Sequence, residues 1–332
     1  MENSPLVSVC MPAFNAEKYI GETIESVLNQ TYRNIELIIA DDGSKDDTLS
    51  IVEGKFRDER IILCKQTNSG AAAARNLAFM QSQGMFVKFL DADDLISANT
   101  IENQVNAAIR HPGALISGKW GRFYHDDLLT FKLSPESCWR DMDPQSWLVD
   151  SWTTGQSMTQ PGIFLIPRSI IEKVGLWDEK LSLIDDMDFF TRAILGGTKV
   201  VFEPESILYY RSGLAGSLSG QKSYAAYQSA FRAIEQSTEN LLAISHSQKV
   251  KTASANLWQS FVHEVYPLHP ELYSVAERRI KELGGASVEY RCGPATQLLV
   301  SLVGWKLTKR IKMNPWISRF SVKRSRVLNG KM

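Results

Sequence analysis

The chain of 332 residues predicts an α/β fold, a mainly parallel sheet with helices on both faces, followed by a helical C-terminal extension. Three observations predict it. Continuous apolar runs, as buried parallel strands require, recur four times in the first 90 residues. Stretches with helical spacing or strong helix formers separate them, which gives the order βαβαβαβ. Three of the four runs end in polar clusters, "PAFN", "DDGS" and "DADD", at the carboxyl edge where such sheets bind ligands.

Taken in order, "LVSVCMPAF" (6–14) reads as the first strand. "EKYIGETIESVLNQ" (17–30) reads as a helix, with apolar residues at Tyr19, Ile20, Ile24, Val27 and Leu28. "NIELIIADDGS" (34–44) is the second strand, and "DDTLSIVEGKF" (46–56) a helix that Asp46 would cap. "RIILCKQ" is strand three. "SGAAAARNLAFMQSQG" is a helix opened by Ser69 and closed by Gly84, and "MFVKFL" is strand four. Beyond it, "ALISGKWGRFY" and "GIFLIP" read as strands and "KVVFEPESILYYR" as a pair of strands. "SIIEKVG" is a short helix stopped by Gly175, and "DDMDFFTRAILGG" (185–197) a helix with three acids in its first turn. From about residue 220 the pattern is helical, up to "ERRIKELGG".

Composition narrows the function classes. Of the chain, 44% is hydrophobic, enough for one large domain with an appendage. Basic and acidic residues balance at 37 each, but all ten Lys and Arg from Arg291 onward stand without a single acid. The four cysteines are scattered, with no metal-binding spacing, and suit a reducing compartment. "MENSPLVSVCMPAF" resembles neither a signal peptide nor a spanning helix, and "TQLLVSLVGW" is about half of what a bilayer needs. The turn after the first strand, "PAFNAEKY", lacks the glycines of a dinucleotide fingerprint, which excludes that class.

"FLDADD" (89–94) carries the chemistry. Three carboxylates in four residues repel one another unless a cation, water or a donor group offsets them. A solvated turn in which Asp94 caps the helix starting near Ser97 would be the plain reading. At the end of a central strand, two acids one residue apart also suit a hard cation such as Mg²⁺ or Mn²⁺ that holds a diphosphate. Asp41 and Asp42 close the second strand, where a carboxylate can meet a base or ribose, or simply form a turn with Gly43. Arg75 opens a helix facing the same edge and suits either a surface ion pair or a phosphate or nucleotide contact.

These stretches, with "NSGAAAARN" and "VKFLDADD" in this order, resemble glycosyltransferase family 2 over about residues 6 to 211. The resemblance implies a GT-A fold, Rossmann-like with a mainly parallel sheet, and transfer of a sugar from a UDP-sugar with inversion. It implies Mn²⁺ or Mg²⁺ as cofactor. By the same resemblance Pro12, Ala13, Phe14 and Asn15 line the nucleotide pocket, Asp42 and Arg75 read the base, Asp91 meets ribose or sugar, and Asp93 with Asp91 holds the metal. "GLWDEKLSLIDDMDFF" is similar to the family's turn and acidic pair, with Trp177 for Phe and Asp185–Asp186 for Glu-Asp. That implies Asp186 as general base, with Asp185 the fallback. Three first-turn acids would also serve the helix dipole alone. "YYRSGLAGSLSG" stands where the family often has Tyr-Arg-x-His; without the His, Arg211 and the Ser/Gly loop are left to close over the diphosphate.

The expected layout is a catalytic domain at 1–215 (a nucleotide-sugar half at 1–113, an acceptor half at 114–215), a helical extension at 216–290 and a basic tail at 291–332. Trp139, Trp147 and Trp152 offer faces to an acceptor sugar or fill the core. The acceptor class is a saccharide or lipid-linked saccharide. A nucleotide-sugar-binding scaffold without turnover is the alternative. In "ATQLLVSLVGWKLTKRIK", Leu299, Val303, Leu307 and Ile311 recur every four residues, with Gln297, Ser301, Thr308 and Lys312 opposite. With Arg319, Lys323, Arg324 and Arg326 beyond, the tail suits an anionic membrane surface or a helix packed on the acidic body. A cytoplasmic location is expected, either free or peripheral on the cytoplasmic face of a membrane; no fold for nucleic acid accompanies the charge.

Overall fold

The computed structural model describes residues 4–214, 220 and 222–313. The loop 215–219 and 221, and the basic residues from Arg319 on, lie outside the described residues.

The first strand, β1 (Val7–Ala13), is buried throughout. It is followed by α1 (Ile20–Leu28), which buries Ile20, Thr23, Ile24 and Val27 at helical spacing. Next come β2 (Ile35–Asp41), α2 (Thr48–Lys55), β3 (Ile61–Lys65), α3 (Ala71–Gln81) and β4 (Phe86–Phe89). β1 pairs in parallel with β2 and β4, and β2 with β3. β1 is therefore the switch point, where the strand order turns from one side to the other. β4 stops level with Cys10, so Pro12, which points to the same side, leaves no ladder bond unmade by lacking an N–H. Gly84 lets the chain between α3 and β4 cross close over β1: a Cβ there would lie 2.5 Å from Ser8 Oγ.

The expected caps are made differently. Asp46 accepts from the Thr48 amide at 3.0 Å and from the Glu17 amide at 3.0 Å, so it ties two loops together one residue before the N-cap Asp47. Ser69 does not cap α3; its hydroxyl donates to Thr67 O, and Gly70 stands at the N-cap.

A second sheet takes over after "DADD". It contains β5 (Leu95–Ile96) and, past α4 (Thr100–Arg110), β6 (Leu115–Tyr124) and β7 (Asp127–Leu133). The chain continues through α5 (Pro144–Trp152), β8 (Ile166–Pro167), α6 (Arg168–Val174) and α7 (Asp185–Gly196) to β9 (Val200–Ser212). The sheet orders are β3-β2-β1-β4-β8 and β5-β9-β6-β7. "GIFLIP" thus yields only the two-residue β8, antiparallel to β4. "KVVFEPESILYYR" is one thirteen-residue strand rather than two; it absorbs the interruption itself, because Gly118 and Lys119 of β6 pair with Glu203 and Ile207 and residues 204–206 of β9 bulge out of the ladder.

Trp147 and Trp152 are 2% and 0% exposed, so both are core residues and neither presents a face to an acceptor. Trp139 is half-buried and stacks on Phe202.

The last helices are α8 (Tyr224–Ile244), α9 (Gln248–Val265), α10 (Pro270–Glu282) and α11 (Pro294–Met313). The described residues form two compact units, one within 4–152 and 157–250, the other within 153–156 and 251–313. α8 lies in the first, where Ser229 Oγ accepts from the Ser182 and Leu183 amides at 2.7 and 3.1 Å. In the second unit α11 breaks at Gly304 (φ 77°, ψ 157°). The expected stripe of Leu299, Val303, Leu307 and Ile311 is therefore cut in two, and Thr308, expected on the polar side, is fully buried. Trp305 packs among Tyr290, His263 and Tyr266, while Leu298, Leu302, Val303 and Leu307 are exposed.

Candidate active site

The site lies at the carboxyl ends of β1, β2 and β4, within the first unit. Its rim is zipped by side chains of successive loops. Asn15, in the left-handed region (φ 49°), accepts from the Lys45 amide at 2.8 Å and donates its own amide to Ser44 Oγ at 3.0 Å. Beside it Phe14 is 46% exposed, a free aromatic face at the tip of a buried strand. Pro12 and Ala13 are buried beneath.

Asp42 is almost wholly buried, and its carboxylate is already engaged. It accepts from Gln66 Nε2 and the Ser69 amide, both at 2.7 Å, and from the Gly70 amide at 2.9 Å. Asp42 thus fixes the entry to α3, and three of its roughly four acceptor sites are filled.

The "DADD" turn joins the two sheets, because β4 ends just before it and β5 begins just after. Thr23 of α1 holds it by donating to Ala92 O at 2.9 Å. Asp94 does not cap a helix; it is buried and accepts from the Arg211 amide at 3.0 Å. Burial, then the charges of Asp93 and Asp91, hold its carboxyl well above the usual range. Arg211 donates through Nε to Asp93 O at 2.8 Å and pairs with Asp126 and Glu22 at 2.7 Å each, its guanidinium over Tyr19 and Phe123. Its fork is spent on the turn and its neighbours.

Arg75 on α3 is 5% exposed. One terminal nitrogen donates to Asp91 Oδ1 and the other to Asp185 Oδ2, each at 2.8 Å, and the guanidinium lies 4.4 Å from the centre of the Trp177 ring. Asn76 accepts from the Trp177 amide at 3.0 Å and donates to Trp177 O at 3.0 Å and Glu179 Oε1 at 2.9 Å. One guanidinium therefore spans the strand-end acid and the acidic pair that opens α7.

Asp186, the second acid of that pair, is half-buried. It accepts from the Met187 amide at 3.0 Å and from Thr159 Oγ1 at 3.3 Å. Burial, then the charge of Asp185, pushes its carboxyl up to about 7, where a general base works near neutral pH. Asp185 is raised too, first by burial.

The acid tip fits a hard divalent cation. Burial, then the charge of Asp91, pushes Asp93 up to about 6. Among the described residues no three His, Cys, Asp or Glu side chains form a ready metal cluster. Asp93 and Asp91 would supply part of a shell that water and a donor's phosphates complete.

Sequence reasoning named most of these residues but missed Thr159, Asn76, Thr23 and Glu22. Asn76 had a signal, since it follows Arg75 in "ARN"; Thr159 had none, because its partner lies 27 residues on.

The model of the family described as "Glycosyl transferase family 2" matches residues 8–175, just over half of the chain. The chain belongs to glycosyltransferase family 2. Among curated members, the putative teichuronic acid biosynthesis glycosyltransferase TuaG of Bacillus subtilis is 46% identical over 168 residues, which are 49% of this chain and 67% of TuaG. The Escherichia coli WfgD, named a UDP-Glc:α-D-GlcNAc-diphosphoundecaprenol β-1,3-glucosyltransferase, is 37% identical over 40% of this chain and 56% of its own. An uncharacterized glycosyltransferase of Haemophilus influenzae is 41% identical over 36% of this chain and 48% of its own, so the chain spans about half the length of several curated relatives. The crystal structure of S. aureus TarS 1–349 in complex with UDP-GlcNAc superposes with a TM-score of 0.66 at 20% identity, covering 84% of this chain and 81% of TarS. The shared fold is the GT-A fold, with helices added at the C-terminus.

Proposed function

We propose that the protein is an inverting glycosyltransferase that moves a sugar from a UDP-sugar to a hydroxyl of a saccharide or lipid-linked saccharide. The observation that carries this reading is the Asp91–Arg75–Asp185 bridge, which sets the donor-side acid and the acidic pair of α7 on one guanidinium. Family membership and the names of the relatives, one of which acts on a diphosphoundecaprenol-linked sugar, support the substrate classes.

A sugar hydroxyl is a poor nucleophile at neutral pH. In this reading Asp186 takes its proton as the new C–O bond forms, and its carboxyl near 7 suits that task. Phe14 offers its open face to the base, and the Asn15–Ser44–Lys45 zipper shapes the rim around it. Asp91 orients ribose or sugar, and Asp93 with Asp91 holds Mn²⁺ or Mg²⁺. Such a cation offsets the charge gathering on the departing diphosphate. Attack opposite to the leaving group inverts the anomeric centre. Arg211 serves by shaping the "DADD" turn.

Attachment to an anionic membrane is part of the reading. α11 exposes Leu298, Leu302, Val303 and Leu307, and it carries Lys306, Lys309, Arg310 and Lys312 without an acid. Among the described residues no helix is long and apolar enough to cross a membrane.

The test is UDP release from a panel of UDP-sugars with Mn²⁺, offered free saccharides and lipid-linked saccharides. Release that depends on donor, acceptor and metal supports the reading. Donor binding without release for any pair would replace it with a nucleotide-sugar-binding scaffold.

A further inference from the structure

Two adjacent residues of α3 reach toward the two halves of the site. Arg75 joins Asp91, at the end of the nucleotide-side sheet, to Asp185, at the start of α7. Asn76 grips the Trp177–Glu179 turn that precedes α7, and that turn lays its indole against the Arg75 guanidinium. The guanidinium is buried, and both of its terminal nitrogens are committed to protein carboxylates, which leaves it poorly placed to read a base.

From this geometry we infer that Arg75 is a positioning residue rather than a donor ligand: it clamps Asp91 and the Asp185–Asp186 pair into one unit, with Asn76 and Trp177 holding the clamp in its plane. The inference rests on the proposed transferase reading for its catalytic consequence, but the clamp itself does not depend on it. Without Arg75 the buried carboxylate of Asp185 and the half-buried one of Asp91 lose their shared counter-charge, and each turns toward water. Asp186 is the residue after Asp185, and its amide donates to Asp185 Oδ1 at 3.0 Å, so its aim shifts with Asp185. A misplacement of about 1 Å at a reacting group costs about 10²-fold in rate.

The experiment compares the full chain with Arg75→Lys, Arg75→Met, Asp185→Asn and the Arg75→Met/Asp185→Asn pair. It reads the thermal midpoint, the UDP dissociation constant by calorimetry, and kcat with KM. The clamp predicts a fall in kcat of about 10²-fold for Arg75→Met, whatever UDP affinity is lost through the freed Asp91, and a smaller fall for Arg75→Lys, which keeps the charge but not the fork. It also predicts that Asp185→Asn restores part of the midpoint lost by Arg75→Met, because the unpaired carboxylate is gone. A UDP constant weakened about tenfold or more by Arg75→Met with kcat kept would make Arg75 a donor ligand and overturn the inference. Additive midpoints would overturn it too. Should Arg75→Met not fold, Arg75→Lys with and without Asp185→Asn decides in the same way. If the wild-type chain turns over no donor, the transferase reading fails while the midpoints and UDP constants still judge the clamp.

Discussion

Trp177 lies flat on Phe189, with ring centroids 4.2 Å apart and planes 6° from parallel. Phe89, two residues before Asp91, meets both rings edge-on at 5.2 and 5.4 Å. The end of β4, the turn before α7 and α7 itself are thus one aromatic stack behind the acids. Trp177→Ala should cost ~3–5 kcal/mol in denaturant unfolding, since it empties a buried ring site and strips the guanidinium of its face. Trp177→Phe should keep most of that stability.

Asp93→Ala should abolish metal-dependent donor binding, measured by calorimetry with and without Mn²⁺. Full activity of this variant at low Mn²⁺ would rule out Asp93 as the main ligand. Asp186→Asn should separate from it: donor binding intact and kcat down ~10²–10⁴-fold. Equal damage to donor affinity would make Asp186 a binding residue.

The pH profile follows from the same carboxyl. Asp186 must be ionised to accept a proton, and its value is pushed up to about 7. kcat/KM should therefore fall about tenfold per pH unit below that value and level off above it. A profile flat down to pH 5 would exclude Asp186 as the base.

Stability should vary with pH in two opposed ways. Asp93 and Asp186 are raised to about 6 and about 7, so the folded chain binds protons that the unfolded chain releases above about 4. Their contribution is full below that point and is lost as pH rises through 6 to 7. Lys88 behaves oppositely: it is fully buried, donates to Gln104 Oε1 at 3.0 Å and Phe164 O at 3.3 Å, and is lowered by burial to about 7. The unfolded chain binds its proton up to about 10.4, so its penalty fades as pH climbs from about 7. Lys88→Met should flatten the rise in unfolding free energy between pH 7 and 10; an unchanged slope would refute the assignment.

Flotation with vesicles tests the C-terminal region. The full chain should float with anionic vesicles and sink with neutral ones, in a salt-sensitive way. A chain ending at Glu289, and one with Leu298, Leu302 and Leu307 changed to Ser, should float less. Equal flotation of full and shortened chains on anionic vesicles would remove the membrane from the proposal.

Much of this was legible beforehand, for physical reasons. β1, β2 and β4 are buried on both faces, so their apolar runs stand out, and the acids at their ends mark the ligand edge. β7 was missed because it is a mostly exposed edge strand, with no buried run to mark it. β9 looked double because Pro204 and its polar neighbours interrupt the apolar pattern, whereas the strand carries them as a bulge between Glu203 and Ile207. Nothing local reveals that Arg75 meets Asp185, 110 residues away. The cut in α11 did have a marker, Gly304.

Asp42 has one more consequence. The amino end of a helix is a seat of partial positive charge, and many nucleotide-binding sheets place a phosphate there. At α3 that seat is taken by the protein's own carboxylate, on the amides of Ser69 and Gly70. A diphosphate arriving at this edge finds the macrodipole of α3 already neutralised. In the proposed reading its counter-charge comes from elsewhere along the rim, from a recruited cation rather than from helix geometry.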